Sequence, residues 1–335
     1  MKTQGFSEGF AQRAAYITLA ISLISVSPAS VLIGFALQEG VPPVIIAFWR
    51  LLLATVLMFI SSVIFKALSD FKDFYALSSR DKSLLVVSGF FLALHFTTWI
   101  ASLSFTSVAA SVVLVDSAPL FVLFLSTVFL HERATKKQIV GIFLSLMGAI
   151  IIGLAHFSST QAAENILGDI LALLGALSVA IYIIIGRGVR KKIGVHGYTV
   201  VVYGSCSLFI LSFILFLGLF GTPFPLLGYS TFAYILFFLL ALIPSCLGHS
   251  MYNYSLKYIK AAIISVALLA EPIGATVLAV LLWGLYDPRA IGDNPVTLIL
   301  ILFGSFWILL GIVISLLGEN KEKENFETVK QDLVF

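Results

Sequence analysis

Hydrophobic residues dominate this chain in runs of about 20 residues, and short polar connections separate the runs. A helix needs about 20 mostly apolar residues to cross a lipid bilayer. Ten segments meet this requirement: residues 15–37, 43–65, 82–104, 106–130, 137–156, 167–187, 197–219, 230–254, 259–285 and 296–317. The pattern therefore predicts an all-α polytopic membrane protein with ten transmembrane helices. We interpret residues 1–14 as a cytoplasmic N-terminus and the charged residues 318–335 as a disordered cytoplasmic tail.

The ten segments form two halves that resemble each other at an offset of about 154 residues. Matching residues recur at this spacing: His95 with His249, Trp49 with Tyr203, Ser111 with Ser265, and, shifted by one, Pro119 with Pro272. The first repeat covers residues 15–156 and the second covers residues 167–317. Each repeat contains five helices, and an odd number makes the second copy enter the membrane upside down. Such inverted five-helix repeats are typical of secondary transporters.

The distribution of basic residues predicts the orientation in the membrane. With the N-terminus inside, 18 of the 20 Lys and Arg residues fall on the cytoplasmic side, whereas Arg289 falls outside and Arg50 lies within a helix. Cytoplasmic connections carry an excess of Lys and Arg. We therefore expect a multi-pass protein of the plasma membrane with both termini in the cytoplasm.

The composition excludes several classes of protein. Hydrophobic residues make up 60% of the chain, charged residues 11%, and the mean hydropathy is +1.07, whereas soluble proteins are about 25% charged. The lipid bilayer is therefore the expected surroundings. The net charge of +3 indicates no nucleic-acid partner because the basic residues lie in short connections. The histidines show no spacing typical of a metal site, and we expect neither metal nor cofactor.

A carboxylate followed by a proline interrupts the apolar segment 259–285 near its middle. A charged side chain at this depth costs at least about 2.5–3.5 kcal/mol on insertion scales, and Pro272 leaves the Leu268 carbonyl without its helical partner. The first repeat contains a similar feature, a carboxylate and a proline at Asp116 and Pro119 in segment 106–130. We therefore predict helix breaks at the two prolines and a site beside them.

Each charged residue at this depth has two interpretations. Glu271 either makes structural hydrogen bonds between helices or faces a cavity, where it binds substrate or exchanges a proton. Arg50 lies at a depth close to that of Asp116. It either forms an ion pair with Asp116 or binds a substrate carboxylate with two parallel hydrogen bonds.

Further polar residues share helix faces and complete the candidate site. His95 and Trp99 are four residues apart, and His249 and Asn253 repeat that spacing, so each pair lies on one face. These faces line a cavity or make hydrogen bonds between helices. Tyr182 is a weaker candidate, because tyrosines such as it, Tyr252 and Tyr254 also form belts at membrane interfaces. Five glycines are expected to permit close helix packing: Gly34, Gly141, Gly148, Gly153 and Gly175.

Four stretches in the same order resemble the EamA-type drug/metabolite transporter superfamily. They are Pro42-Pro43 with Phe48, Trp49 and Arg50, then Ser111 to Pro119 closing on His131-Glu132-Arg133, then Gly168-Asp169 with Tyr182 and Arg187, and finally Leu268 to Pro272. Two departures stand out. Val179 occupies a position where the family often has Trp, and Leu285-Tyr286-Asp287 with an inserted loop replaces the glutamate that closes the ninth helix.

The resemblance implies ten helices around a central cavity that opens to one side at a time. It also implies a small-molecule substrate, no bound nucleotide, and a peripheral or homodimer position for the fifth and tenth helices. We therefore expect a transporter, not an enzyme, that exports a small polar metabolite such as an amino acid or related compound. Proton coupling at Glu271 is one way to drive it.

Two alternatives remain open: a flippase for lipids or lipid-linked precursors, and a membrane-embedded enzyme. The sequence contains no HExxH, paired-aspartate motif or nucleophile elbow to support the enzyme.

Overall fold

The computed structural model describes residues 2–106, 108–156, 166–286 and 295–332. These residues form helices and connections, and none of them lies in a β-strand. In chain order the helices are α1 (Lys2–Val26), α2 (Ala29–Gln38), α3 (Pro43–Ile64), α4 (Ser69–Ala76), α5 (Ser79–Ser102), α6 (Val108–Val115), α7 (Ala118–Phe129), α8 (Lys136–His156), α9 (Ile166–Val189), α10 (Val195–Leu219), α11 (Thr231–Leu240), α12 (Ser250–Ser255), α13 (Ala261–Leu268), α14 (Glu271–Tyr286) and α15 (Pro295–Asp332). A π-helical stretch, Ala241–His249, joins α11 to α12.

The protein is a multi-pass membrane protein. Among the described residues, eight helical stretches are long and apolar enough to cross a bilayer: Ala11–Gln38, Pro43–Ile64, Ser79–Ser102, Ser111–Phe129, Ile166–Val189, Val195–Leu219, Thr231–Ser255 and Ile299–Gly318. The predicted number of ten is not confirmed by this count; it requires α8 and the pair α13–α14 to cross the bilayer as well. Large apolar side chains are exposed around the bundle, as lipid contact requires, for example Phe124, Phe143 and Leu215.

Two of the predicted spans are divided near their middle. A turn at Asp116–Ser117 separates α6 from α7, and a turn at Leu269–Ala270 separates α13 from α14. Pro119 and Pro272 each occupy the second position of the helix that follows. A missing N–H does little harm there, because the first N–H groups of a helix have no partner within it. The prolines therefore begin new helices beside the two carboxylates.

The last helix of each repeat, α8 and α15, packs against its counterpart. A Cβ built on Gly141 would come within 2.4 Å of the Gly311 carbonyl oxygen, and one on Gly148 within 2.5 Å of the Gly304 carbonyl oxygen. Residue numbers rise along one helix as they fall along the other, so the two helices are antiparallel. This is the relative direction that an inverted repeat requires. Glycine is needed at these contacts because the two backbones touch.

Not every predicted packing glycine lies at a close contact. Gly175 lies at a close contact, because a Cβ built on it would be 3.3 Å from the Cβ of Trp99. Gly34 does not, because a Cβ there would meet nothing within 4 Å, so the packing interpretation is wrong at that position. The surroundings of Gly153 and the inserted loop at 287–294 lie outside the described part of the chain.

The structure contains helix in two places where the sequence pattern predicted none. Residues Ser69–Ala76 form α4, a helix too short and too polar to be recognised as a span. The final helix continues to Asp332, through residues that we expected to be a disordered tail. Its last residues are rich in Glu and Lys, which have high helix propensity, and the helix of the last span extends into them.

Candidate functional site

Arg50 is fully buried on α3 and keeps one edge of its guanidinium group unused. Its Nε donates a hydrogen bond to Ser245 Oγ at 2.8 Å. The guanidinium carbon lies 4.3 Å from the centre of the Phe96 ring, which covers one face of the group. Nη1 and Nη2 have no hydrogen-bond partner among the residues that the structure describes. A buried donor without a partner costs about 1–3 kcal/mol, so this edge is available to a ligand that brings acceptors.

The π-helical stretch places Ser245 against Arg50. Pro244 has no N–H, so the α-helical hydrogen bond to the Leu240 carbonyl is missing. Ser245 Oγ donates to that carbonyl at 2.9 Å, and the N–H of Ser250 reaches back five residues to the Ser245 carbonyl. Stretches of this kind are frequent at functional sites. The wider turn therefore leaves the Ser245 hydroxyl able to accept from Arg50.

The two carboxylates beside the helix breaks belong to the same electrostatic cluster as Arg50. Glu271 interacts electrostatically with both Arg50 and Asp116. Glu271 is the first residue of α14, and Asp116 lies two residues before α7. Helix N-termini stabilise negative charge, so each break suits a carboxylate. Glu271 and Asp116 are half-buried rather than enclosed.

Among the described residues, Arg50 and Asp116 make no ion pair, which was one of the two interpretations that the sequence left open. Nη1 and Nη2 of Arg50 and the buried Oδ2 of Asp116 find no hydrogen-bond partner within that part of the chain. Glu271 is the carboxylate whose charge lies near enough to affect Arg50, without a described direct contact between the two side chains. The prediction compared depths along straight helices, whereas Asp116 lies in a turn that redirects its backbone.

The histidine of the first repeat lies next to Arg50 in an aromatic layer. His95 Nδ1 lies 3.0 Å from the Gly175 carbonyl oxygen, which makes Nδ1 the protonated nitrogen. Its ring stacks on Trp99 with a centroid distance of 5.7 Å and lies 4.9 Å from the Phe96 ring. The indole Nε1 of Trp99 is buried and has no partner in the described part of the chain. It is a second donor available to a ligand.

The corresponding histidine of the second repeat belongs to a polar chain along α12. His249 Nδ1 is 2.8 Å from the Tyr252 hydroxyl. Asn253 Nδ2 donates to the Tyr182 hydroxyl at 2.6 Å and to the His249 carbonyl at 2.7 Å. Its Oδ1 has no partner among the described residues. Tyr182 and Tyr252 are buried. An interfacial belt therefore does not explain these two tyrosines.

The structure brings most of the predicted residues together through Phe96. That ring contacts Arg50, His95 and His249, whose ring centroid lies 5.4 Å away. Sequence reasoning missed both Phe96 and Ser245. Pro244, inside an apolar span, was the available signal for Ser245, while Phe96 is one of 29 phenylalanines and carries no signal of its own.

A separate ion pair joins the ends of several helices. Arg187 Nε donates to Glu132 Oε1 at 2.7 Å, and Arg187 Nη1 donates to the Leu256 carbonyl at 2.6 Å. Glu132 Oε2 accepts from the Ala261 N–H at 3.4 Å. These contacts connect α7, α9 and the turn between α12 and α13. We call this set of four residues the Glu132 clasp.

A model of the EamA-like transporter family matches the chain twice, over residues 13–154 and 166–317. This protein belongs to the EamA-like transporter family. The resemblance read from the sequence is thereby confirmed. The two matched ranges begin and end within two residues of the two repeats read from the sequence.

Several proteins of known sequence resemble this EamA protein, over part of their length. An uncharacterized transporter of Archaeoglobus fulgidus is 33% identical over 144 residues, which are 38% of this chain and 50% of the relative. The uncharacterized transporter YetK of Bacillus subtilis is 26% identical over 61% of each chain. The thiamine-repressible mitochondrial transport protein THI74 of Saccharomyces cerevisiae is 38% identical over 24% of this chain and 23% of the relative. Each match spans less than two thirds of the relative.

One solved structure, described only as the crystal structure of a protein, supports the fold independently. It superposes with a TM-score of 0.71 and covers 92% of this chain and 99% of its own. Its sequence identity is 15%, so the likeness concerns the EamA fold alone.

Proposed function

We propose that this EamA protein is a secondary transporter that moves a small carboxylate-bearing metabolite, such as an amino acid or related compound, by alternating access. The single observation that carries the proposal is the unused Nη1–Nη2 edge of Arg50. A guanidinium edge binds a carboxylate through two parallel, charge-assisted hydrogen bonds. Two broken helices beside this edge are a further support, because transporters place their substrate sites at such breaks.

The remaining site residues have complementary roles in this proposal. Phe96 holds the plane of the guanidinium group, so a ligand approaches in that plane. Trp99 offers its free Nε1 as one more donor and its ring as an apolar contact. Asn253 offers Oδ1 as an acceptor for a substrate donor. In the empty site the negative charge of Glu271 balances the positive charge of Arg50. A substrate carboxylate takes over that role, so proton movement at Glu271 is coupled to substrate movement.

We further propose that ten membrane-spanning helices form two inverted repeats. The protein lies in the plasma membrane in this proposal, with both termini in the cytoplasm. The antiparallel contact of α8 with α15 supports the inversion. The excess of Lys and Arg in alternate connections supports the orientation. In this orientation the Glu132 clasp lies at the cytoplasmic end of the bundle.

Transport by the purified protein in proteoliposomes tests the function. A panel of radiolabelled metabolites, with and without carboxylates, is measured for both uptake and efflux. We expect saturable transport of carboxylate-bearing compounds and its loss in Arg50→Ala. Lys72→Ala, on the exposed surface of α4, is the matched control that removes a positive charge elsewhere. Transport restricted to compounds without a carboxylate, or absent across the panel, contradicts the proposal.

A further inference from the structure

The helix α4 is a surface helix, since none of its eight residues is buried. The segment that contains it, residues 65–80, carries three large exposed apolar side chains: Phe65, Leu68 and Tyr75. Its exposed charged side chains are Lys66, Lys72, Asp73 and Arg80. Lys72 and Asp73 are neighbours of opposite charge, so the excess of positive charge comes from Lys66 and Arg80. Helices that lie in the interface of a bilayer combine basic and apolar side chains in this way.

Asp70 attaches the first turn of α4 to the first turn of α10. Its Oδ2 accepts a hydrogen bond from the His196 N–H at 3.1 Å. Gly194, the residue before α10, has no side chain that could cap the helix, so the Asp70 carboxylate takes that role. A Cβ on Gly194 would overlap this carboxylate, and one on Gly197 would come within 2.7 Å of the Asp70 carbonyl oxygen. The two glycines therefore allow α4 to lie directly against α10.

Lys82 holds the other end of α4 from the first turns of α5. Its Nζ donates to the Tyr75 carbonyl at 3.0 Å and lies 5.6 Å from the centre of the Phe74 ring. A basic side chain near the end of a helix stabilises the last carbonyl groups. Phe71 packs edge-on against Phe59 of α3, with the ring centroids 6.0 Å apart. Three neighbouring helices therefore hold α4, and its exposed face has a fixed direction.

We propose that residues 65–80, here called the α4 surface, bind anionic phospholipid of the surrounding bilayer. The Lys66 and Arg80 side chains attract the phosphate groups, while the exposed apolar side chains enter the region where headgroups meet acyl chains. Anionic headgroups complement the excess of positive charge, whereas zwitterionic headgroups carry no net charge. Because α4 is already folded and held, lipid binding requires little additional ordering of the chain.

A second basic segment separates this proposal from the general attraction between a cytoplasmic surface and anionic lipid. Lys136 and Lys137 are also exposed, but they belong to the first turn of the long helix α8 and not to a surface helix. In the proposed orientation both basic pairs lie on the cytoplasmic side, so general attraction acts on both. The α4 surface adds a fixed arrangement of charged and apolar side chains, and its preference for anionic lipid should therefore be larger.

The experiment measures which lipid lies next to α4 in nanodiscs that contain the purified full chain. A bimane fluorophore is attached to Ser69→Cys, an exposed position of α4, in a background in which Cys206 and Cys246 are replaced. The bilayer contains phosphatidylcholine and phosphatidylglycerol, and one of the two carries a nitroxide near the headgroup that quenches nearby bimane. The ratio of quenching by the two labelled lipids, at equal mole fraction, gives the local enrichment of the anionic lipid. A second reporter at Ala134→Cys, beside the start of α8, provides the comparison.

We expect phosphatidylglycerol to be enriched about threefold or more at the Ser69→Cys reporter and clearly less at the Ala134→Cys reporter. At about 1 M salt, where the Debye length is about 3 Å, the enrichment should fall towards one. Dissolved glycerol 3-phosphate at millimolar concentration should not reduce it, because this compound lacks the acyl chains that hold a lipid against the apolar side chains.

Two charge variants test the basic side chains at the Ser69→Cys reporter. Lys66→Gln with Arg80→Gln should bring the enrichment close to one at low salt. Lys136→Gln with Lys137→Gln removes the same charge from the chain and should leave the enrichment unchanged. An unchanged enrichment in the first variant contradicts the role given to its two side chains. If that variant does not fold, the two reporters in the otherwise unchanged chain and the salt dependence still decide.

Several results overturn the proposal. No enrichment at the Ser69→Cys reporter removes the binding itself, and equal enrichment at the two reporters shows only general attraction. Displacement by dissolved glycerol 3-phosphate indicates a site for a soluble phosphate ester instead of a lipid. The proposal goes beyond the proposed function and uses neither Arg50 nor a substrate, so transport of the metabolite panel succeeds or fails independently of it.

Discussion

Arg187 Nε and Glu132 Oε1 lie 2.7 Å apart, and this ion pair joins the end of α7 to the end of α9. Both side chains are largely shielded, with exposed fractions of 10% and 14%. The clasp also includes the Ala261 N–H and the Leu256 carbonyl. Under the alternating access proposed above, we expect these groups to separate when the carrier opens at this end, so that the clasp keeps the end closed until then.

Loss of the Glu132 charge should destabilise the closed end of the bundle. Glu132→Gln leaves the shielded Arg187 without its counter-ion, and removing one partner of a buried pair costs about 3–5 kcal/mol. We expect a clearly lower midpoint of thermal unfolding in detergent. Lys192→Ala is the matched control, because Lys192 is 54% exposed in its pair with Asp81 and such pairs contribute about 0–1 kcal/mol. Equal shifts in both variants would show that the clasp adds nothing special.

Glycine at the contact of α8 with α15 should be irreplaceable even by alanine. A Cβ on Gly141 would come within 2.2 Å of Ser315 Oγ and 2.4 Å of the Gly311 carbonyl oxygen. Gly141→Ala should therefore push the two backbones apart and lower the unfolding midpoint, at a cost of about 1–3 kcal/mol. Gly34→Ala, where the added Cβ meets nothing within 4 Å, should be neutral or stabilising by about 0.5–1 kcal/mol. A neutral Gly141→Ala would contradict the described contact.

Arg50 should be coupled more strongly to Glu271 than to Asp116. Arg50→Gln removes the positive charge of the cluster and should lower stability. Adding Glu271→Gln should recover more of the lost stability than adding Asp116→Asn. The coupling energy between Arg50 and Glu271 should be about 0.5–3 kcal/mol. The two double-mutant cycles are measured by thermal unfolding of the purified variants. Greater recovery with Asp116→Asn would instead support an ion pair between Arg50 and Asp116.

The orientation can be tested with single cysteines. In a background in which Cys206 and Cys246 are replaced, a cysteine at Glu39 should react with a membrane-impermeant maleimide in intact cells. Cysteines at Lys72 and Lys191 should react only after the membrane is opened. All three native residues are exposed, so access to the reagent depends on the side of the membrane. Labelling of Lys72→Cys in intact cells would overturn the proposed topology.

The sequence predicted the helical segments closely because lipid selects them by length and apolar character. The segments at 43–65, 167–187 and 197–219 differ by at most two residues from the ends of α3, α9 and α10. Helix propensity, by contrast, decides where a polar helix ends outside the membrane, which explains why α4 and the end of α15 were not predicted.

The candidate site was predictable as a set of residues but not as a set of contacts. Arg50, Asp116 and Glu271 stand out because a charge in an apolar helix is costly. Which of them interact depends on helix rotation and on the turns at the breaks, and neither follows from the spacing. The ion pair of Arg50 with Asp116, one of the two interpretations given to Arg50, is absent among the described residues for this reason, and Ser245 remained hidden because its role depends on the π-helical turn.

The π-helical stretch has one more consequence, which concerns the equality of the two halves. If the two inverted repeats folded alike, a carrier would have two end states related by the twofold axis between the repeats, and these states would have equal free energy. The repeats do not fold alike, since the corresponding helix of the first repeat, α5, is α-helical throughout while the second contains Ala241–His249. The wider π-helical turn also rotates the residues beyond it relative to a continuous α-helix. Under the alternating access proposed above, we therefore expect the two end states to differ in free energy, with one opening favoured over the other at rest.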